Sequence, residues 1–161
     1  LETVSDLRQR GLKIGSTTGY TREMMDVLVP EAKKRGYEPD SIVCATDVPH
    51  GRPDPWMCFA NAQNLSVYPM EAVVKVGDTL SDIAEGLNAG MWTIGLTKCG
   101  NELGLSQSDA EALPPEELTR RLDRATTRMT QAGAHYVVES VADILPCLDD
   151  IEQRLQRGEK P

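Results

Sequence analysis

Three stretches of the 161-residue sequence combine residue types that could work on a charged oxygen-rich group. The first is Ser16-Thr17-Thr18-Gly19-Tyr20-Thr21. Hydroxyls and a glycine stand there just ahead of a predicted helix, whose first turn offers unsatisfied N–H groups and a partial positive charge. Such an end suits a phosphate; taken alone, the same residues are better read as a helix cap. The second is Val48-Pro49-His50-Gly51-Arg52-Pro53-Asp54-Pro55-Trp56. Its prolines stiffen the loop, and a fixed Arg52 would present a planar fork to a phosphate or carboxylate. A charge-assisted hydrogen bond of that kind contributes about 1.5–3 kcal/mol. A surface arginine in a proline-rich turn explains the same residues about as well, and His50 reads as a solvated loop residue. The third is Val76-Gly77-Asp78-Thr79-Leu80-Ser81-Asp82. Asp78 and Asp82 lie one helical turn apart, so both carboxylates share one side of a loop–helix junction. Hard oxygen ligands in small number suit Mg²⁺, with water and phosphate completing its octahedron. The alternative makes Asp78 a helix cap and Asp82 an acid facing the helix dipole.

The elements that must position these residues alternate between strand and helix. Leu12–Gly15, Ser41–Ala45, Ala72–Val76, Trp92–Leu96 and Tyr136–Val138 read as strands. Ala72–Val76 is the clearest, β-branched and nearly continuous in apolar character, as in parallel strands buried on both faces. Between them the sequence predicts a helix capped by Thr21 and stopped at Gly36, with Pro30 kinking or splitting it. It predicts further helices over residues 55–64, 80–89 and 116–132. Residues 98–115 read as a polar loop with room for a short helix. Val141, Ile144, Leu145, Leu148, Ile151 and Leu155 mark an amphipathic terminal helix, followed by a frayed tail. This alternation implies an α/β fold with a doubly wound parallel sheet. Ligands bind such sheets beyond the carboxyl ends of the strands, and all three stretches fall there. A hydroxyl turn, a fixed cation and a carboxylate pair at successive strand ends together describe a phosphoryl site. No GxGxxG or GxxxxGK[ST] loop occurs, which counts against dinucleotide and P-loop chemistry.

Composition narrows the class. Seventeen Lys and Arg against 25 Asp and Glu give a net charge of -8, which argues against nucleic-acid binding. No apolar run approaches the roughly 20 residues of a membrane span. Cys44, Cys58, Cys99 and Cys147 form no close pair, so buried reduced thiols and a cytoplasmic location are the expectation. The chain opens Leu1-Glu2-Thr3-Val4 without Met or leader, and it reads as a piece of something longer.

The motifs carry a resemblance. Residues 14–25 (Ile-Gly-Ser-Thr-Thr-Gly-Tyr-Thr-Arg-Glu-Met-Met), 51–57 (Gly-Arg-Pro-Asp-Pro-Trp-Met), and 75–82 (Lys-Val-Gly-Asp-Thr-Leu-Ser-Asp) with their continuation through Trp92 resemble the second, third and fourth motifs of the haloacid dehalogenase superfamily. Within it they look most like the branch that hydrolyses phosphonoacetaldehyde to acetaldehyde and phosphate, and Glu102-Leu103-Gly104-Leu105 fits the same branch. The resemblance implies a haloacid dehalogenase-like Rossmannoid core, a Mg²⁺ cofactor, a small-molecule phosphonate substrate and a homodimer in the complete protein, with neither nucleic acid nor membrane as partner. It implies that Thr18 and the Gly19 N–H hold phosphate oxygens and that Arg52 binds phosphate and balances a nucleophile. Asp78 would ligate Mg²⁺ directly, Asp82 directly or through water, with Tyr20 and Thr79 behind them. Chemically, a lysine imine would turn the departing carbon into an enamine while an aspartate takes the phosphoryl group. The aspartate motif and the helical cap bearing that lysine would both precede Leu1, and Lys13, Lys75 and Lys98 do not match the cap lysine. The expectation is therefore the carboxyl-terminal part of a core domain, residues 1–161, incomplete at its N-terminal side and inactive or marginally stable alone. The strand of the second motif and that of the fourth would then face a gap. Two other readings compete: a phosphatase or phosphomutase of the same superfamily, and a non-catalytic phosphate-binding remnant.

Overall fold

The computed structural model describes residues 1–98, 100–105 and 107–161. Helix α1 (Glu2–Gln9) precedes strand β1 (Gly15–Thr18), helix α2 (Arg22–Lys34) and strand β2 (Ser41–Cys44). Helix α3 (Trp56–Leu65), strand β3 (Val74–Gly77), helix α4 (Leu80–Asn88) and strand β4 (Trp92–Leu96) follow. Helices α5 (Gln107–Ala112) and α6 (Pro115–Gln131), strand β5 (Tyr136–Val138) and helix α7 (Leu145–Gln156) complete the chain. All strand pairing is parallel, as the alternation demands. It falls into two pieces: β1 beside β2, and β3, β4 and β5 in that order. Gly15 stands opposite Ser41, Val74 opposite Trp92 and Ile94 opposite Tyr136. Among the described residues β1 and β3 share no ladder. A cavity of about 1340 Å³ lies between them, lined by Ile14–Thr17 on one side and Val73–Asp78 on the other.

The period of two along a strand sorts side chains onto two faces. Trp92, Ile94 and Leu96 of β4 pack with Ile144, Cys147 and Ile151, with Val74, Val76 and Leu7 alongside. The intervening Thr93 and Gly95 face the other way. A Cβ on Gly95 would stand 3.2 Å from Met129 of α6, and one on Gly86 of α4 would stand 2.6 Å from Thr93. Helices thus cover both faces, and every residue of β4 is buried. Trp92 is closed off further by Arg154, whose guanidinium carbon lies 4.3 Å from the ring centroid.

Several elements depart from the sequence-based expectation. The first strand starts at Gly15 rather than Leu12. Ile14 N–H instead donates to Asp40 Oδ2 at 2.8 Å, its carbonyl accepts from Asp40 N, and Leu12 is exposed. Thr17 and Thr18, β-branched like valine, pair with β2 in its place. Thr21 caps α2 as expected, accepting from Met24 N. Pro30, however, sits inside an unbroken helix. Pro30 and Asp26, one turn earlier, are both exposed, so water can take the carbonyl that proline leaves without a donor. The tail is tied rather than frayed: Glu159 pairs with Arg154 and Arg157, and Lys160 with Glu71. Cys44, Cys58 and Cys147 are buried free thiols, and Cys99 lies outside the described residues. No helix among the described residues is long and apolar enough to cross a membrane.

Candidate active site

The carboxyl ends of β1 and β3 meet over Arg52. At β1 the chain turns from Thr18 into α2, and Thr18 Oγ1 accepts from Tyr20 N at 3.2 Å. Gly19 and Tyr20 are exposed. Arg22, in the first turn of α2, pairs with Asp47 in the loop after β2 and fixes the helix start against that loop. The Arg52 loop is itself anchored from α4, where Asn88 Nδ2 donates to the Pro53 carbonyl at 2.9 Å.

Arg52 is gripped at three points. Nη2 donates to the Thr17 carbonyl at 3.0 Å, Nη1 meets Asp82 Oδ1 at 3.0 Å, and Nε lies 3.4 Å from Glu85 Oε2. Guanidinium carries five donors, so each terminal nitrogen keeps one N–H beyond these contacts. Asp82 is equally committed. Its Oδ2 accepts from Thr79 N at 3.2 Å and from Thr79 Oγ1 at 2.7 Å, while Thr79 Oγ1 accepts from Asp82 N. This is a capping box, and it makes Thr79, not Asp78, the cap of α4. Asp82 Oδ1 also meets Lys75 Nζ at 3.2 Å. Burial works to raise the Asp82 carboxyl, but Lys75, Thr79 and Arg52 together outweigh it and hold it below the usual aspartate value.

Asp78 is freer. Its Oδ2 accepts from Asn101 N at 2.9 Å and Asn101 Nδ2 at 3.0 Å, which among the described residues leaves the second oxygen open. The loop can approach this closely because Gly100 has no side chain; a Cβ there would stand 2.4 Å from Asp78 Cβ. Asp78, Asp82, Arg52 and Thr17 line the same cavity. Among the described residues, no three His, Cys, Asp or Glu side chains gather into a metal-binding group. The carboxylates present fit a hard cation with the rest of its sphere from water, phosphate or further oxygens. Asp78 fits as a direct ligand. Asp82, with both oxygens in use, fits as one that reaches the metal through water.

Of the sequence-predicted residues, Arg52 and Asp82 are in contact, Asp78 shares their cavity, and Thr18 and Gly19 adjoin the Thr17 carbonyl that Arg52 holds. Tyr20 is half exposed and His50 exposed, away from the cluster's contacts. Sequence reasoning missed Lys75, Glu85, Thr17, Gly100 and Asn101. One signal was available: a lysine inside Val73-Val74-Lys75-Val76 cannot be buried without a partner.

A family model described as haloacid dehalogenase-like hydrolase matches residues 1–90. A phosphonoacetaldehyde hydrolase-like protein of Syntrophobacter fumaroxidans is 58% identical over 161 residues, covering 100% of this chain and 58% of that protein. A phosphonoacetaldehyde hydrolase of Nitratidesulfovibrio vulgaris is 54% identical over 160 residues, covering 99% and 57%. The crystal structure of a phosphonoacetaldehyde hydrolase-like protein from Oleispira antarctica superposes with a TM-score of 0.96 at 46% identity, covering 99% of this chain and 58% of that one. The chain thus spans less than two thirds of the length of these relatives. With parallel strands, the motif residues at their carboxyl ends and a matching family model, the chain belongs to the haloacid dehalogenase-like hydrolases.

Proposed function

We propose that this chain is the carboxyl-terminal core part of a phosphonoacetaldehyde hydrolase and carries its phosphate and Mg²⁺ binding residues. One observation carries the reading: Arg52, held by the Thr17 carbonyl and Asp82, joins the hydroxyl turn of β1 to the carboxylate pair after β3. In this reading Thr18 and the Gly19 N–H receive phosphate oxygens, and the free N–H groups of Arg52 offset their charge. Asp78 holds Mg²⁺ and Asp82 orients it through water, while its own contacts keep Arg52 aimed. Bound Mg²⁺ supplies charge neutralisation between an attacking carboxylate and the phosphoryl oxygens. The attacking aspartate and the imine-forming lysine are contributed by the part of the protein that corresponds to the relatives' remaining length. The cavity between β1 and β3 supports this, since its two strand edges suit one further parallel strand.

The test is release of acetaldehyde and phosphate from phosphonoacetaldehyde by this chain and by the complete protein. Activity is expected in the complete protein alone, dependent on Mg²⁺ and abolished by borohydride added with substrate. Asp78→Ala in the complete protein should lower Mg²⁺ affinity by more than the roughly 10–100-fold typical of losing an outer-sphere partner. Phosphate release from simple phosphomonoesters without acetaldehyde formation would move the chain to the phosphatases, and inertness of both forms would leave a binding remnant.

A further inference from the structure

Lys75 and Glu85 lie behind the rim, only 7% and 0% exposed. They pair directly with each other, on the face of β3 that meets α4. Gly86 makes this approach possible, since a Cβ there would stand 2.8 Å from Lys75 Cβ. Lys75 has three N–H donors, and Thr17 Oγ1 at 2.7 Å, Glu85 Oε2 and Asp82 Oδ1 at 3.2 Å take them. The side-chain nitrogen is therefore fixed in place by three contacts. Two of these contacts stay within β3 and α4. The third crosses to β1, and Thr17 Oγ1 also lies 3.4 Å from Glu85 Oε2. Arg52 Nη2 takes the Thr17 carbonyl at 3.0 Å. One residue thus receives both cations, Lys75 on its hydroxyl and Arg52 on its backbone, and Thr18 and Gly19 follow it directly.

We propose that Thr17 is a positioning residue, whose hydroxyl ties the Thr18–Gly19 turn to the buried Lys75–Glu85 pair and so keeps the turn, Arg52 and Asp82 in one geometry around a phosphate. This rests on the reading of Thr18, Gly19 and Arg52 as a phosphate site. Serine would preserve the link. Valine, of the same shape, would break it, leave Lys75 short of an acceptor and let the turn shift. Displacement of donors by an ångström can cost about a hundredfold, so a smaller shift is expected to weaken phosphate binding about tenfold.

The experiment is calorimetric titration of the complete protein with inorganic phosphate at saturating Mg²⁺, for wild type, Thr17→Val, Thr17→Ser, Lys75→Met and the double variant Thr17→Val/Lys75→Met. Thr17→Val should bind phosphate about tenfold more weakly and Thr17→Ser within about twofold of wild type. Lys75→Met, which also releases Asp82, should bind phosphate at least as weakly as Thr17→Val, and the double variant should be no weaker than Lys75→Met, because the Thr17 hydroxyl acts through its bond to Lys75. If Lys75→Met does not fold, Lys75→Met/Glu85→Gln, which removes both charges, takes its place in the cycle. The inference is overturned if Thr17→Val binds like wild type, if Thr17→Ser is as weak as Thr17→Val, or if the losses multiply. Absence of phosphate binding in wild type overturns it together with the site. Phosphate binding without turnover of phosphonoacetaldehyde removes the substrate assignment and leaves the inference standing.

Discussion

Arg52 shows why side-chain geometry, beyond charge, matters at this rim. Its guanidinium reaches the Thr17 carbonyl on β1 and the Asp82 and Glu85 carboxylates on α4. A lysine at the same place would bring one ammonium, unable to span those acceptors and still face a ligand. In the complete protein Arg52→Lys should therefore lower kcat/KM by about 10–100-fold, the equivalent of one charge-assisted hydrogen bond of about 1.5–3 kcal/mol. Wild-type kinetics in that variant would remove Arg52 from the site. Cys58 illustrates the opposite outcome for a reactive group. Burial, with Glu85 adding to it, pushes its thiol up to about 12, so it is a packing residue rather than a nucleophile.

At the scale of elements, close packing of α4 on β3 and β4 brings Asp82 to the rim and sets Glu85 behind it. Gly86 is the contact point, 2.6 Å from Thr93 Cγ2 and 2.8 Å from Lys75 Cβ once a Cβ is added. Gly86→Ala gains roughly 1 kcal/mol of helix propensity. Overpacking of a filled core loses about 1–3 kcal/mol, and with β-carbon positions among the clashing atoms the loss should prevail. A lowered urea midpoint is the expected result; an unchanged or raised one would show that α4 has slack. The same elements explain what could be seen in the sequence. Trp92–Leu96 and Tyr136–Val138 match β4 and β5 because short, largely apolar stretches leave one place for a parallel strand packed against the core. Thr21 and Gly36 bound α2 because capping is local chemistry, with Gly36 at φ 89°. β1 was displaced because Gly-Ser-Thr-Thr has little apolar signal, and its partner Ser41–Cys44 decides its register. Arg52, Asp78 and Asp82 were legible because fixed spacing from strand ends places them. Lys75 and Glu85 were not, since their pairing across β3 and α4 depends on Gly86 and on which face of the strand turns inward.

Across the whole molecule, the two parallel half-sheets are joined near the rim by side chains, Lys75 and Arg52 both reaching Thr17, rather than by a ladder. Strand edges open on the cavity invite pairing with another chain. The 161-residue chain by itself is expected to scatter light at rising concentration, and the complete protein to slow amide exchange in β1 and β3. Equal exchange in both forms would show that nothing pairs with these edges. Stability should also depend on pH through His135. Its Nδ1 accepts from Thr93 N at 3.1 Å, so that nitrogen carries no proton, and burial with the nearby Arg154 lowers the ring below 6.5. An unfolded chain then binds a proton before the folded one. The contribution is whole at neutral pH, declines as pH falls through 6.5, and stops declining below the folded value. Wild type should lose more urea resistance than His135→Gln between about pH 7.5 and 5.5; equal losses would clear His135 of the effect. The enclosure of Lys75 reaches beyond stability. Lys13, Lys33, Lys34, Lys98 and Lys160 stand at the exposed surface, whereas Lys75 is shut away with its protons committed. Acylating or reductively methylating reagents should therefore tag every lysine of the native fold but this one, and a tag on Lys75 becomes a sensitive reporter that the two half-sheets have come apart.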